Sequence, residues 1–343
     1  MIRAEVVPYC LPLKRAWVAA SAILTERRGA LLKLTDADGR IGWGDCAPLP
    51  SGGNAGAVLA ALDDYARRPA RFLDARRPAG ADFSALPPEV RWAVETARLD
   101  IEAQRQSLPL ARLLNPDAPP DIAINAALGP LDEACVERAQ QALAQDFSLG
   151  KIKVGLAPVE LELARLQALA EATQGRLRLR LDANRAWSVA EAGRFLNALR
   201  ELPVEAVEEP LAAPDLATYA ALQSGLPYAL ALDESLPPVG LEAVIATRAV
   251  RRLVLKPARL GGHAATQAIA RLAAAAGIET VLTSVVDSAV GITAAAHLAA
   301  AIAPALAHGL GTSAWLADDV AATPVIANGR LQLPDTPGLG IRA

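Results

Sequence analysis

Histidine, cysteine and methionine are scarce: three, three and one in a chain of 343 residues. Cys10, Cys46 and Cys135 are odd in number and far apart, which excludes a C-x-x-C pair and a disulfide framework and fits a reducing compartment. Three histidines exclude a His-rich zinc site. Charge of one sign is also missing. Lys+Arg 34 against Asp+Glu 37 leaves a formal −3, so no basic field is available to hold nucleic acid. Long apolar runs are nearly absent. The one window of membrane length, residues 290–307, is mostly alanine, carries Thr293 and His297 and is cut by Pro304, which reads as a buried helix of a globular protein. Pro8 and Pro12 break the first residues before any signal-peptide core can form, so a cytoplasmic protein is expected, with no membrane partner. What the chain does have is apolar residues, 52% of the total with mean hydropathy +0.25, which excludes disorder and permits a large core.

From about residue 121 onward, short β-like runs alternate with helical patterns. The runs cover residues 122–128, 151–154, 177–182, 204–208, 228–233, 252–256, 279–284 and 307–310. Between them lie helical stretches at 159–173, 188–200, 216–224 and 263–276, with Ser188 and Glu191 spaced as a capping box. Eight strands at this spacing predict successive βα units closing into a (β/α)8-type barrel. An open doubly wound sheet would show a Gly-rich phosphate turn after its first strand, and none is present. The first hundred residues differ, with strands expected at 5–11, 30–35 and 40–45 and helices at 55–67 and 88–105. Loop 48–54, rich in turn residues, reads as a lid-like connection. The proline-bearing tail after Gly311 is expected to pack back on the N-terminal segment.

Strand alternation then selects the chemistry. Ile152, Leu181, Val207, Leu232 and Leu255 point to the helical layer, so their neighbours Lys151 and Lys153, Asp182, Glu208, Asp233 and Lys256 point inward. All stand at the strand ends where barrel active sites lie. Any one of them alone would read as a solvated rim residue; six on consecutive strands make a ring. Three hard oxygen ligands, Asp182, Glu208 and Asp233, suit Mg²⁺, with Mn²⁺ open. Flanking lysines suit proton abstraction beside a carboxylate, and Lys151 is the like charge expected to lower the pKa of Lys153. Glu209 and Glu234 have the opposite parity and read as structural, as do the histidines; Cys46 reads as a small buried hydrophobe.

The runs Lys151-Ile-Lys153, Leu181-Asp-Ala-Asn-Arg-Ala-Trp187, Val207-Glu-Glu-Pro210, Leu232-Asp-Glu-Ser235, Leu255-Lys-Pro257 and Pro337-Gly-Leu-Gly340 resemble the enolase superfamily, in its muconate-lactonizing-enzyme subgroup, over essentially the whole chain. The resemblance implies an α/β fold, a (β/α)7β-type TIM barrel with an N-terminal α+β capping domain completed by the C-terminal tail. Residues 1–110 would form the cap, 111–312 the barrel and 313–343 the tail. It implies Asp182, Glu208 and Asp233 as Mg²⁺ ligands, Lys153 and Lys256 as the acid/base pair, Lys151 and Asn184 as support, and loops 17–21 and 48–54 facing a small-molecule carboxylate substrate. Ser284, Gly311 and Thr312 are expected to touch that substrate, and homo-oligomerisation stays open. Within the subgroup, Gly42-Trp-Gly-Asp45, Leu232-Asp-Glu-Ser-Leu236 and Lys256-Pro257 are most like o-succinylbenzoate synthase, which implies dehydration of a succinyl-hydroxycyclohexadiene carboxylate in menaquinone biosynthesis. Epimerases tend to carry an Asp-x-Asp pair late in the barrel, where this chain has Gly309-Leu-Gly311. Lys256-Pro-Ala-Arg259 matches the Lys-x-x-Arg of relatives that racemise N-succinylamino acids, so racemisation or epimerisation, or cycloisomerisation, is the alternative. Arg259 either depresses the Lys256 pKa or is a rim residue. A non-catalytic binding protein on the same scaffold is the remote option.

Overall fold

The computed structural model describes residues 2–19, 22–50, 54–69, 81–341 and 343. Residues 20, 21 and 51–53 of the two expected site-facing loops lie outside the described residues. The chain opens with an antiparallel sheet of β1 (Arg3–Ala19), β2 (Ala22–Thr35) and β3 (Ile41–Cys46). β1 is longer than expected because its prolines fall on the edge strand, where a missing N–H is tolerated, and the register shifts between Pro12 and Trp17. Helices Ala55–Arg67 and Pro88–Arg105 cover the sheet, burying Leu32, Leu34, Leu62, Tyr65, Val90 and Val94 in one core.

Close approach explains two glycines there. A Cβ on Gly44 would lie 1.9 Å from the Ala93 carbonyl oxygen, and one on Gly42 2.0 Å from that of Ala97, so β3 rests on the backbone of helix Pro88–Arg105. Gly44→Ala must therefore push helix from strand. A loss of about 1–3 kcal/mol is expected from overpacking, read as a lower urea midpoint at unchanged m-value.

The second body is a parallel sheet of seven strands: β5 (Ala126–Pro130), β6 (Leu149–Lys153), β7 (Arg178–Asp182), β8 (Val204–Glu208), β9 (Ala229–Leu232), β10 (Arg252–Leu255) and β11 (Glu279–Leu282), hydrogen-bonded in chain order. The expected first strand is split. Residues Asp121–Ala123 (β4) leave the barrel and join a small antiparallel sheet with β12 (Ile326–Ala327) and β13 (Arg330–Gln332) of the tail. The expected eighth strand is reduced to two parallel bridges, Ile124 to His308 and Thr283 to Gly309, which join the first and last strands and close the ring. Gly309 has no side chain because Thr283 Oγ1 would lie 2.6 Å from its Cβ. The capping box at Ser188 and Glu191 forms as expected. Helix Ala289–Ile302 is buried along nearly its whole length, and among the described residues no helix is long and apolar enough to cross a membrane.

The tail returns to the N-terminal body: the Ala317 N–H donates to the Pro12 carbonyl at 2.8 Å and the Leu339 N–H to Asp100 Oδ1 at 2.9 Å. The histidines pack and link segments, consistent with a structural role. His297 Nδ1 accepts from the Ala111 N–H and His308 Nδ1 from the Leu282 N–H. His263 stacks on Trp92 with ring centroids 4.5 Å apart and meets Thr96 Oγ1 at 3.1 Å, across the seam between cap and barrel. Burial pushes His263 down to about 3, so it stays neutral when folded but takes a proton when unfolded below about 6.5. Stability is therefore lost as pH falls from about 6.5 toward 3. His263→Gln should flatten the urea-derived stability slope over that window by about 1.4 kcal/mol per pH unit; an unchanged slope would show that the ring is charged in the fold.

Candidate active site

The register of the parallel sheet places Lys153 beside Asp182 and Asp182 beside Glu208. Asp233 and Lys256 follow one residue after β9 and β10. Ile152, Leu181, Val207, Leu232 and Leu255 are fully buried, so alternation sends all six charged side chains to one end of the barrel. Their ammonium groups reach between the carboxylates. Lys151 Nζ pairs with Glu208 Oε2 and stands 3.1 Å from Asp182 Oδ2; Lys153 Nζ lies 3.6 Å from Asp182 Oδ2; Lys256 Nζ pairs with Asp233 Oδ2. Asn184 accepts from Lys153 Nζ at the turn after β7, where its φ of +44° suits an asparagine.

These contacts set the protonation. Burial alone would depress Lys151, but the charges of Asp182, Glu208 and Asp233 together hold it well above the ordinary lysine value. Burial would raise Asp182, yet Lys151 and Lys153 hold it down at about 2. Glu208 is raised by its burial, with the charges of Asp182 and Asp233 adding to the rise and those of Lys151 and Arg180 opposing it. Burial lowers Lys256, and Asp233 more than reverses that by charge and hydrogen bond.

Glu209 has the structural role that its parity suggests. It sits at φ +45°, fully buried, and accepts from the N–H groups of Asp233 (2.7 Å) and Ser235 (2.9 Å) and from the Ser235 hydroxyl (2.7 Å). Burial pushes it up to about 7. Its carboxyl thus shapes the turn that carries Asp233. Ser284 Oγ and Thr312 Oγ1 meet at 2.5 Å after β11 and the closing bridges, with Gly311 adjacent in sequence. The Arg259 side chain pairs with the cap. Its Nη1 stands 3.7 Å from Glu89 Oε1 on helix Pro88–Arg105, half exposed, which makes it a seam residue between cap and barrel. Lys151 likewise is engaged by Asp182 and Glu208, rather than facing Lys153 as an uncompensated charge.

The motifs leave out the layer beneath. Arg180 pairs with Glu205 at 3.1 Å and approaches Glu208 Oε1 at 4.0 Å, and Arg252 bridges Glu205 and Glu279. A signal for both exists in the sequence, since Arg180 shares parity with Asp182 and Arg252 with Lys256. Among the described residues no three carboxylates, imidazoles or thiols converge closely enough to chelate an ion as they stand. The lysines explain this, because each carboxylate of the ring is turned toward an ammonium group. Three buried carboxylates with only oxygen donors, one of them raised by burial with its carboxylate neighbours adding to the rise, nevertheless form a set that fits a hard divalent cation. Two surface cavities of about 430 and 420 Å³ touch none of the six residues; the first lies by Arg248 and Arg251 at the strand-start end, the second by Lys14, Asp318 and Asp319.

Comparison with known proteins places this geometry. A family model described as enolase C-terminal domain-like matches residues 134–343. The L-Ala-D/L-Glu epimerase of Bacillus subtilis (strain 168) is 27% identical over 99% of this chain and 96% of its own length. The o-succinylbenzoate synthase of Desulfotalea psychrophila is 30% identical over 71% of this chain and 67% of its own. The crystal structure of a dipeptide epimerase from Enterococcus faecalis V583, complexed with Mg and the dipeptide L-Leu-L-Tyr, superposes with TM-score 0.89 at 26% identity, covering 100% of this chain and 99% of that one. The expected leading likeness to the synthases is thereby corrected: the L-Ala-D/L-Glu epimerase matches over 99% of this chain and the synthase over 71%. Two of the motifs that suggest it, Leu232-Asp-Glu-Ser-Leu236 and Lys256-Pro257, lie at the charged ring itself, and the third, Gly42-Trp-Gly-Asp45, lies on β3 of the cap.

Proposed function

The chain belongs to the enolase superfamily and is an enzyme, and we propose that it racemises or epimerises the carbon α to a carboxylate in an amino-acid derivative, a dipeptide or an N-acylamino acid. One observation carries this reading. Lys153 ends β6 and Lys256 follows β10, four strands on in a ring that the closing bridges make eightfold, so the two amines face each other across the barrel mouth. A proton can leave one face of a substrate and return to the other. Lys256, held protonated by Asp233, is in the donor state; Asn184 orients Lys153; and Glu209 fixes the turn beneath Asp233. Asp182, Glu208 and Asp233 would hold Mg²⁺, or Mn²⁺, which when bound supplies positive charge beside the substrate carboxylate as its α-carbon loses a proton. Ser284, Gly311 and Thr312 would line the substrate. The division into a cap of 1–110, a barrel of 111–312 and a tail of 313–343 belongs to this reading, supported by the separate core of the N-terminal sheet.

A second reading, dehydration as in o-succinylbenzoate synthase, rests on one feature. Gly309-Leu-Gly311 offers no carboxylate for a substrate ammonium, and Oδ1 of Asp319 is taken by the N–H groups of Ala289 and Val320. The deciding experiment incubates the purified, Mg²⁺-loaded enzyme in D₂O with dipeptides, with N-succinylamino acids and with the cyclohexadiene carboxylate. Deuterium incorporation with inversion supports the epimerase reading. Elimination without inversion supports the synthase. Neither exchange nor elimination with any of them overturns both and leaves a binding protein.

A further inference from the structure

Arg27, on β2, is 1% exposed, yet the carboxylate paired with it, Asp287, stands 3.9 Å away. Away from its own strand, its nitrogens are spent on three backbone carbonyls in two segments. Nη1 donates to Pro48 at 2.7 Å, Nη2 to Ala47, and Nε to Val286 at 3.2 Å. One guanidinium therefore ties the cap strand to the start of loop 48–54 and to the barrel loop after β11. That barrel loop is strained. Val286 holds φ +61°, a costly conformation for a β-branched residue, and is buried against Leu11, Leu316 and Trp17. Asp45, at the end of β3, accepts from the Tyr9 hydroxyl (2.6 Å), the Ser288 hydroxyl (2.9 Å) and the Ser288 N–H (3.1 Å). Asp287 Oδ1, by contrast, is buried without a hydrogen-bond partner.

Charge balance is what makes the cluster unusual. Two buried carboxylates, Asp45 and Asp287, face one cation, with Tyr9 from β1, Lys256 from the barrel and Asp319 from the tail as the other titratable groups near them. If both carboxylates were ionised, the seam would carry an uncompensated buried negative charge, which is expensive. Uncharged at one of them, it is neutral.

We propose that Arg27, Asp45 and Asp287 form a one-proton latch between cap and barrel, with Arg27 as the positioning residue that holds Ala47 and Pro48 of the cap against the barrel loop at Val286. The inference rests on the site assigned above. Burial, and then the charge of Asp45, push Asp287 up to about 7 against the pull of Arg27. A carboxyl raised in the docked state favours docking most at low pH, and that advantage is lost as pH rises from its ordinary value of about 4 to about 7.

The test is amide hydrogen exchange on the substrate-free enzyme between pH 5 and 8, with rates corrected to protection factors. In wild type, protection of the amides of residues 286–288, 9–11 and 13 should fall at least several-fold up to about pH 7 and then level. Asp287→Asn, isosteric with the protonated acid, should make the profile flat. Arg27→Met should lower protection at every pH and raise KM about tenfold while kcat changes far less, and Arg27→Lys should recover part of the loss. If Arg27→Met does not fold, the wild-type and Asp287→Asn profiles decide alone. A flat wild-type profile, or an equal fall in Asp287→Asn, overturns the latch. Because exchange is read without substrate, absence of α-proton chemistry would sink the function reading and leave this measurement standing.

Discussion

Lys153→Arg and Lys256→Arg are each expected to lose α-proton transfer by about 10²–10⁴-fold in kcat, the range that a positioned acid or base contributes. Arginine keeps the positive charge, so the pairing of Lys153 with Asp182 and of Lys256 with Asp233 can persist and the fold should survive. What arginine cannot do is give up its proton near neutral pH. The two variants also separate the readings of the reaction. With amines on opposite sides of the barrel mouth, each variant of an epimerase should retain slow deuterium exchange from only one enantiomer, the one whose proton faces the surviving lysine. In a synthase, Lys153→Arg abolishes turnover, whereas Lys256→Arg, still a cation, keeps a measurable rate. NMR of the α-proton in D₂O with each enantiomer reads both outcomes. Undiminished exchange from both enantiomers in either variant would remove that lysine from the chemistry.

The second large effect is expected at the carboxylates. Asp182→Asn, Glu208→Gln and Asp233→Asn should each lower kcat/KM by about three orders of magnitude or more, since charge stabilisation by a bound divalent ion is worth several kcal/mol and about 1.4 kcal/mol is tenfold in rate. Glu208→Gln is the most informative. Glu208 is fully buried, raised by that burial with its carboxylate neighbours adding to the rise, and paired with Lys151. Removing its charge relieves that burial cost and the neighbouring repulsion while subtracting one ligand charge, so thermal stability without Mg²⁺ should hold even as the increase in Tm on adding Mg²⁺ shrinks. Isothermal titration with Mg²⁺ and thermal scans with and without the ion measure both. Wild-type activity that survives exhaustive chelation would refute the assignment.

Local backbone geometry makes much of this legible in the residues alone. Alternation along a strand has a period of two whatever the rest of the molecule does, so the sequence suffices to assign Lys153, Asp182, Glu208, Asp233 and Lys256 to one face and one end. The spacing of βα units does the same for the barrel, and the Ser188–Glu191 box for a helix start. The same alternation reaches Arg180 and Arg252, which no motif singles out. Other features depend on segments distant in sequence, and no local pattern encodes them. Arg27 meets Val286 across 259 positions and Asp45 meets Ser288 across 243, because the cap is folded down onto the barrel. Arg259 turns to Glu89 of a cap helix instead of toward Lys256 for the same reason. The first strand splits because the returning tail competes for its initial residues, and the eighth fades to two bridges where Gly309 must pass under Thr283. Side-chain direction follows from the chain's own stereochemistry; which charges finally pair is decided by docking, since the energy of a buried ion pair depends on what the distant partner brings within about 4 Å.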